Sequence, residues 1–133
     1  MGASTAASLG EARYLALTTF RRDGRAVTTP IWPAALHGRL YFGTTRDTGK
    51  VKRLRANPRV RVAPCNANAS RMLGDWQDGA ARPVADESTR QAFIAALRRK
   101  YGWQYRLVML LYRLRGAYRH RAVYEIELTP AAS

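Results

Sequence analysis

The chain has 133 residues, the length of one domain, and its 47% hydrophobic content is ordinary for a globular protein. Its 23 Lys and Arg against 9 Asp and Glu give a formal charge of +14, a field that attracts nucleic acid, anionic lipid or a polyanionic small molecule. One cysteine, Cys65, excludes an intramolecular disulfide and fits a reducing, cytoplasmic setting; the apolar run 107–112, between Arg106 and Arg113, falls far short of the about 20 residues that span a bilayer.

Residues 1–13 show no basic segment followed by an apolar one, so no signal peptide is expected, and they read as a flexible arm. Residues 14–20 are rich in β-formers and predict a strand, with Asp23-Gly24 as a hairpin turn. Residues 26–32 form the return strand, at an edge or bulged, because Pro30 cannot donate to a ladder. After the turn at His37-Gly38, residues 39–45 predict a third strand completing a meander. The period then changes. Residues 49–56 read as a short helix with Val51 and Leu54 on one face, ended by Asn57-Pro58. Residues 59–63 alternate, with Val60 and Val62 facing inward. Residues 72–77 and 80–84 read as one strand interrupted at Asp78-Gly79. Asp86 is an N-cap for a helix through Lys100, with Gly102 as its stop. A second helix runs over residues 103–115 to Gly116. Residues 122–128 alternate, with Glu125 and Glu127 on the wet face, and close the sheet. The order predicts a mainly β (α+β) domain over residues 14–129, antiparallel and curled into a barrel or sandwich, with a tail at 130–133.

Several chemistries fall away. His37 and His120 are the only histidines, no His, Cys, Asp and Glu cluster has metal-ligand spacing, and no Ser or Cys stands in a nucleophile motif. What remains is the start of the first predicted helix. Thr44, Thr45, Thr48, Gly49, Lys50, Lys52 and Arg53 combine hydroxyls, a small residue, free helix N–H groups and three cations. A solvated basic turn would have the same composition. Cations at a helix start oppose its dipole, however, which favours a bound anion there.

The segments Leu17-Thr18-Thr19-Phe20-Arg21-Arg22-Asp23-Gly24, Thr29-Pro30-Ile31-Trp32, Gly49-Lys50-Val51-Lys52-Arg53-Leu54-Arg55-Ala56-Asn57-Pro58-Arg59-Val60 and Ala63-Pro64-Cys65 resemble the split β-barrel flavin and deazaflavin oxidoreductases, the pyridoxamine 5′-phosphate oxidase superfamily. The third segment is the most specific of these. With Gly74-Asp75-Trp76 and Lys100-Tyr101-Gly102-Trp103, the resemblance is nearest to the coenzyme F420-dependent branch. It departs at residues 66–70, where a more charged or glycine-containing turn is expected. The resemblance implies a split β-barrel homodimer and hydride transfer from reduced F420, with FMN, FAD or haem as alternative ligands. It assigns the cofactor phosphate to Lys50 and Arg53, with Lys52 beside them, and the same end of the site to Thr44 and Thr45. Thr29, Pro30, Ile31 and Trp32 would lie along the ring system, and Trp76 either reaches the cleft or belongs to the core. No catalytic residue is nominated.

Two further partners stay open. A basic nucleic-acid-binding module suits the charge, but no helix-turn-helix, zinc-finger or aromatic ribonucleoprotein signature occurs. Leu107, Leu110, Leu111 and Leu114, interspersed with arginines, either pack on the barrel or a partner subunit, or lie weakly on an anionic membrane.

Overall fold

The computed structural model describes residues 2–45, 49–114 and 121–130. The elements among them are α1 (Gly2–Glu11), β1 (Leu15–Phe20), β2 (Ala26–Ile31), β3 (Pro33–Leu36), β4 (Arg39–Thr45), α2 (Gly49–Ala56), β5 (Arg59–Pro64), β6 (Gln77–Pro83), α3 (Glu87–Tyr101), α4 (Trp103–Leu114) and β7 (Arg121–Leu128). The strands form one antiparallel sheet in the order β2-β1-β5-β6-β7-β4-β3. Its two edge strands, β2 and β3, are consecutive in the chain, with Trp32 alone between them. A residue spans at most ~3.6 Å. The edges must therefore meet, and the sheet curls into a split barrel. Prolines sit in both edge strands, where a missing N–H costs no ladder bond.

This connection corrects the expected meander. The β1–β2 hairpin forms, with Phe20 opposite Ala26, but β4 pairs with β3 and β7 and not with β2. The short β3, Pro-Ala-Ala-Leu, carries little intrinsic strand preference. It becomes a strand through its pairing with β4 and its place against α1 and α3.

The expected flexible arm is helix α1. Alanines favour the helix, and Ala6 and Leu9 enter the same apolar cluster as Leu15, Leu40 and Phe42. Gly10 allows the close approach: a Cβ there would stand 2.5 Å from that of Ala35 on β3. Lys100 of α3 fastens the end of α1, its Nζ donating to the carbonyls of Gly10, Ala12 and Pro33 at 2.6, 2.7 and 2.7 Å. The expected interruption at Asp78-Gly79 is also absent. β6 runs through both residues, and Gly79 is needed because a Cβ would lie 2.8 Å from the Glu127 carbonyl oxygen on β7. Residues 72–76 lie outside that strand, apart from a single bridge between Met72 and Cys65.

Other expectations hold. Asp86 caps α3, accepting from the Thr89 N–H, and Gly102 ends it. Val51 and Leu54 of α2 are buried. Glu125 and Glu127 pair with Arg39 and Arg82 on the wet side of β7. The expected stop at Gly116 lies outside the described residues.

Both faces of the curled sheet are covered. Leu15, Leu17, Leu40, Phe42, Val60, Val62 and Ile126 form the interior with α1 and α2. Tyr41 and Val123 face outward onto Phe93, Leu97, Tyr101, Tyr105 and Met109 of α3 and α4. Among the described residues no helix is long and apolar enough to cross a membrane.

Candidate functional site

The seam where the two sheet edges meet is also where the chain leaves β2. Pro30, Ile31 and Trp32 form one wall of a cleft there. Gly43 and Thr44 of β4 add the next strand, and Lys50 stands at the start of α2. Leu97 of α3 with Val108, Met109 and Tyr112 of α4 close the far side around about 260 Å³. Segments from 11 to about 80 residues apart in sequence thus meet where the curled sheet closes. Trp32 is held in place by stacking on Tyr101, centroids 4.3 Å apart and planes 11° apart, while the Tyr101 hydroxyl donates to the Arg13 carbonyl at 2.7 Å.

Lys50 is the only charged residue lining this cleft among the described residues. Burial against apolar walls, reinforced by the nearby Arg53 charge, lowers its pKa to about 8. An ammonium in that setting gains from an anionic partner. Thr29, next to Pro30, has a buried Oγ1 without a hydrogen-bond partner among the described residues. A buried hydroxyl left so costs free energy that a bound polar group would recover.

Arg53 faces a second space. Its Nε donates to Thr19 Oγ1 at 2.6 Å, and it lines an open hollow of about 530 Å³ with Arg21, Arg22, Lys52, Arg55 and Ala56. Burial, then the neighbouring Arg21, lowers the Arg53 pKa. Of the residues expected at the phosphate, Lys50 thus lines the apolar slot, whereas Lys52 and Arg53 line the cationic hollow.

Of the other expected residues, Thr44, Pro30, Ile31 and Trp32 come together with Lys50, and Thr29 adjoins them in the strand. The Thr45 side chain and Thr48 lie outside the described residues. Trp76 is not brought to the cleft of its own chain; its ring lies under the Arg61 guanidinium, 5.3 Å from the centroid. Sequence reasoning missed Gly43, Leu97, Val108, Met109 and Tyr112. The positions 105, 108, 109 and 112 do share a helix face, but nothing local says that this face covers a cleft.

Among the described residues no carboxylate, histidine or cysteine lines the cleft, and no group of His, Cys, Asp and Glu could hold a metal. Burial pushes the Cys65 thiol pKa up, away from reactivity. The cleft can bind and orient a flat, partly apolar molecule carrying negative charge.

The sequence profile described as "Pyridoxamine 5'-phosphate oxidase" matches residues 2–131. No curated protein matches the chain. Solved structures share the fold at low identity. An F420 reductase superposes with TM-score 0.59 at 20% identity, covering 92% of both chains. A haem storage protein from Vibrio cholerae superposes at 0.64 with 14% identity, covering 92% of this chain and 86% of that one. An FAD-binding protein from Mesorhizobium loti superposes at 0.61 with 18% identity, covering 96% of this chain and 85% of that one. The same barrel thus serves ligands of three kinds, so the choice among them rests on side chains.

Proposed function

Since the chain belongs to the pyridoxamine 5'-phosphate oxidase family, we propose that it is a coenzyme F420-dependent oxidoreductase acting on a conjugated small-molecule acceptor. The observation that carries this reading is the pairing of two spaces along α2. The slot bounded by Pro30, Ile31, Trp32, Thr44 and Lys50 suits a planar ring system and its first phosphate-bearing linker. The adjoining hollow gathers Arg21, Arg22, Lys52, Arg53 and Arg55. F420 joins a deazaflavin to a phosphodiester and a tail of glutamates, and so has charge for both. FMN, with one phosphate, would use the slot and leave most of the hollow unmatched.

When bound, F420 supplies hydride chemistry; the residues of this chain bind, orient and exclude water. Lys50 pairs with negative charge at the slot, Thr44 lines it beside Lys50, and Trp32, held by Tyr101, keeps one wall rigid. Leu97, Val108 and Met109 keep the opposite wall dry. The proposed enzyme is a homodimer, so light scattering should give twice the 14.9 kDa chain mass.

The deciding experiment is a fluorescence titration with F420 run beside FMN, FAD and haemin on the purified protein. Saturable binding of F420, tighter than that of the other three, supports the reading. A protein that purifies yellow with a flavin spectrum, or with a Soret band, reverses it in favour of the flavin- or haem-binding alternative.

A further inference from the structure

Helix α4 has two apolar faces. Tyr105 and Met109 are buried against the sheet and α3. On the opposite side Trp103, Leu107, Leu110, Leu111 and Leu114 fall at i, i+4, i+7, i+8 and i+11, one continuous stripe along a helix about 18 Å long. The leucines do not pack on the barrel: they are 46–75% exposed, and Trp103 is 76% exposed. A stripe of this kind marks an interaction surface.

Charge selects the partner. Arg106 and Arg113 flank the stripe, and with Arg98 they line the groove between α3 and α4 beside Leu110. No Asp or Glu occurs anywhere between Glu87 and Glu125. Two copies joined stripe to stripe would set this acid-free, arginine-bearing segment against its own copy, like charge against like charge. A surface that accepts an apolar stripe and rewards flanking cations is an anionic lipid bilayer. Trp at one end of such a helix suits the headgroup level.

We propose that α4 docks this protein on anionic membranes, with Trp103, Leu107, Leu110, Leu111 and Leu114 entering the interface and Arg98, Arg106 and Arg113 meeting the headgroups. The inner face of the same helix carries Val108, Met109 and Tyr112 into the cleft, so docking sets the cleft beside the lipid surface.

Flotation with vesicles of phosphatidylcholine and phosphatidylglycerol, against pure phosphatidylcholine, at moderate salt is the test. The full chain should float with the anionic vesicles and scarcely with the neutral ones. Leu107→Gln with Leu114→Gln should weaken partitioning at least ~10-fold, as removal of two buried leucines from the interface demands. Arg106→Gln with Arg113→Gln should cost about fivefold per arginine. Arg59→Gln with Arg71→Gln, exposed cations on β5 and in the loop after it, should change partitioning less than the α4 pair. All of these positions are solvent-exposed, and thermal melts check that each variant folds. Failure of the full chain to float, equal losses in the two arginine pairs, or flotation indifferent to the leucine changes would overturn the proposal. So would a halved particle mass for Leu107→Gln/Leu114→Gln in light scattering, since the stripe would then join two chains.

Discussion

At the scale of single residues, Lys50 concentrates the consequences. It is a lysine with its pKa lowered to about 8, held in an apolar slot with Arg53 nearby. The free protein therefore holds the ammonium below about pH 8 and releases its proton above it. An anion binds the ammonium form and raises its pKa. Affinity for F420 should thus be highest below about pH 8 and fall as pH rises beyond it, a trend that fluorescence titrations across pH 6.5–9.5 would show. In Lys50→Gln that decline should flatten, and affinity at neutral pH should drop ~10- to 100-fold, the range of a charge-assisted hydrogen bond. Arg98→Glu with Arg99→Glu, neither of which lines the slot, should change F420 affinity far less than Lys50→Glu with Arg53→Glu. Equal effects would mean that the overall field, and not a site, does the binding. The expectation of an anion at Lys50 was legible in sequence, because cations at a helix start oppose its dipole. The separation of Lys50 from Arg53 was not. Both lie on α2 only three residues apart, and which space each enters depends on walls supplied by β2, β4 and the β1 end.

At the scale of elements, α1 and β6 carry the sharpest expectations. Three carbonyls, two of them at the end of α1 and the turn after it, share one ammonium from α3. Lys100→Met should destabilise the protein by about 2 kcal/mol, the order of losing hydrogen bonds to a charged group. Amide exchange over residues 2–11 should accelerate more than that over β5 or β7, because α1 loses its fastening first. Gly79→Ala should cost ~1–3 kcal/mol by overpacking, read as a lower midpoint in chemical denaturation, since the facing Glu127 carbonyl belongs to the backbone of β7 and cannot turn aside. Both features explain why local reading failed. Residues 1–13 are polar and small enough to suggest an arm, and only the barrel interior makes Ala6 and Leu9 a helix face worth burying. Asp-Gly is a turn signal in isolation, whereas here the glycine answers the close approach of the neighbouring strand β7.

At the scale of the whole molecule, the charge of +14 is spread over several surfaces: the hollow on α2, the groove between α3 and α4, and the arginines along the sheet. Such a field binds nucleic acid without reading it. Duplex DNA should bind weakly, without sequence preference, and with an affinity that falls steeply between 50 and 200 mM salt in an anisotropy titration. Tight binding that survives 200 mM salt would favour the nucleic-acid module over the enzyme. By itself the sequence determined helices α2, α3 and α4, most of the strands, the caps at Asp86 and Gly102, and the inward faces of α2 and β5. These depend on periodicity and on near neighbours in the chain, so a local reading reaches them. The tertiary structure alone decided that β2 and β3 are opposite edges joined through Trp32, that α1 seals the interior, and that α4 covers the cleft with one face while showing leucines on the other. Those outcomes follow from closing a twisted sheet on itself, which sets far-apart segments side by side, and no window along the chain contains both partners of such a contact.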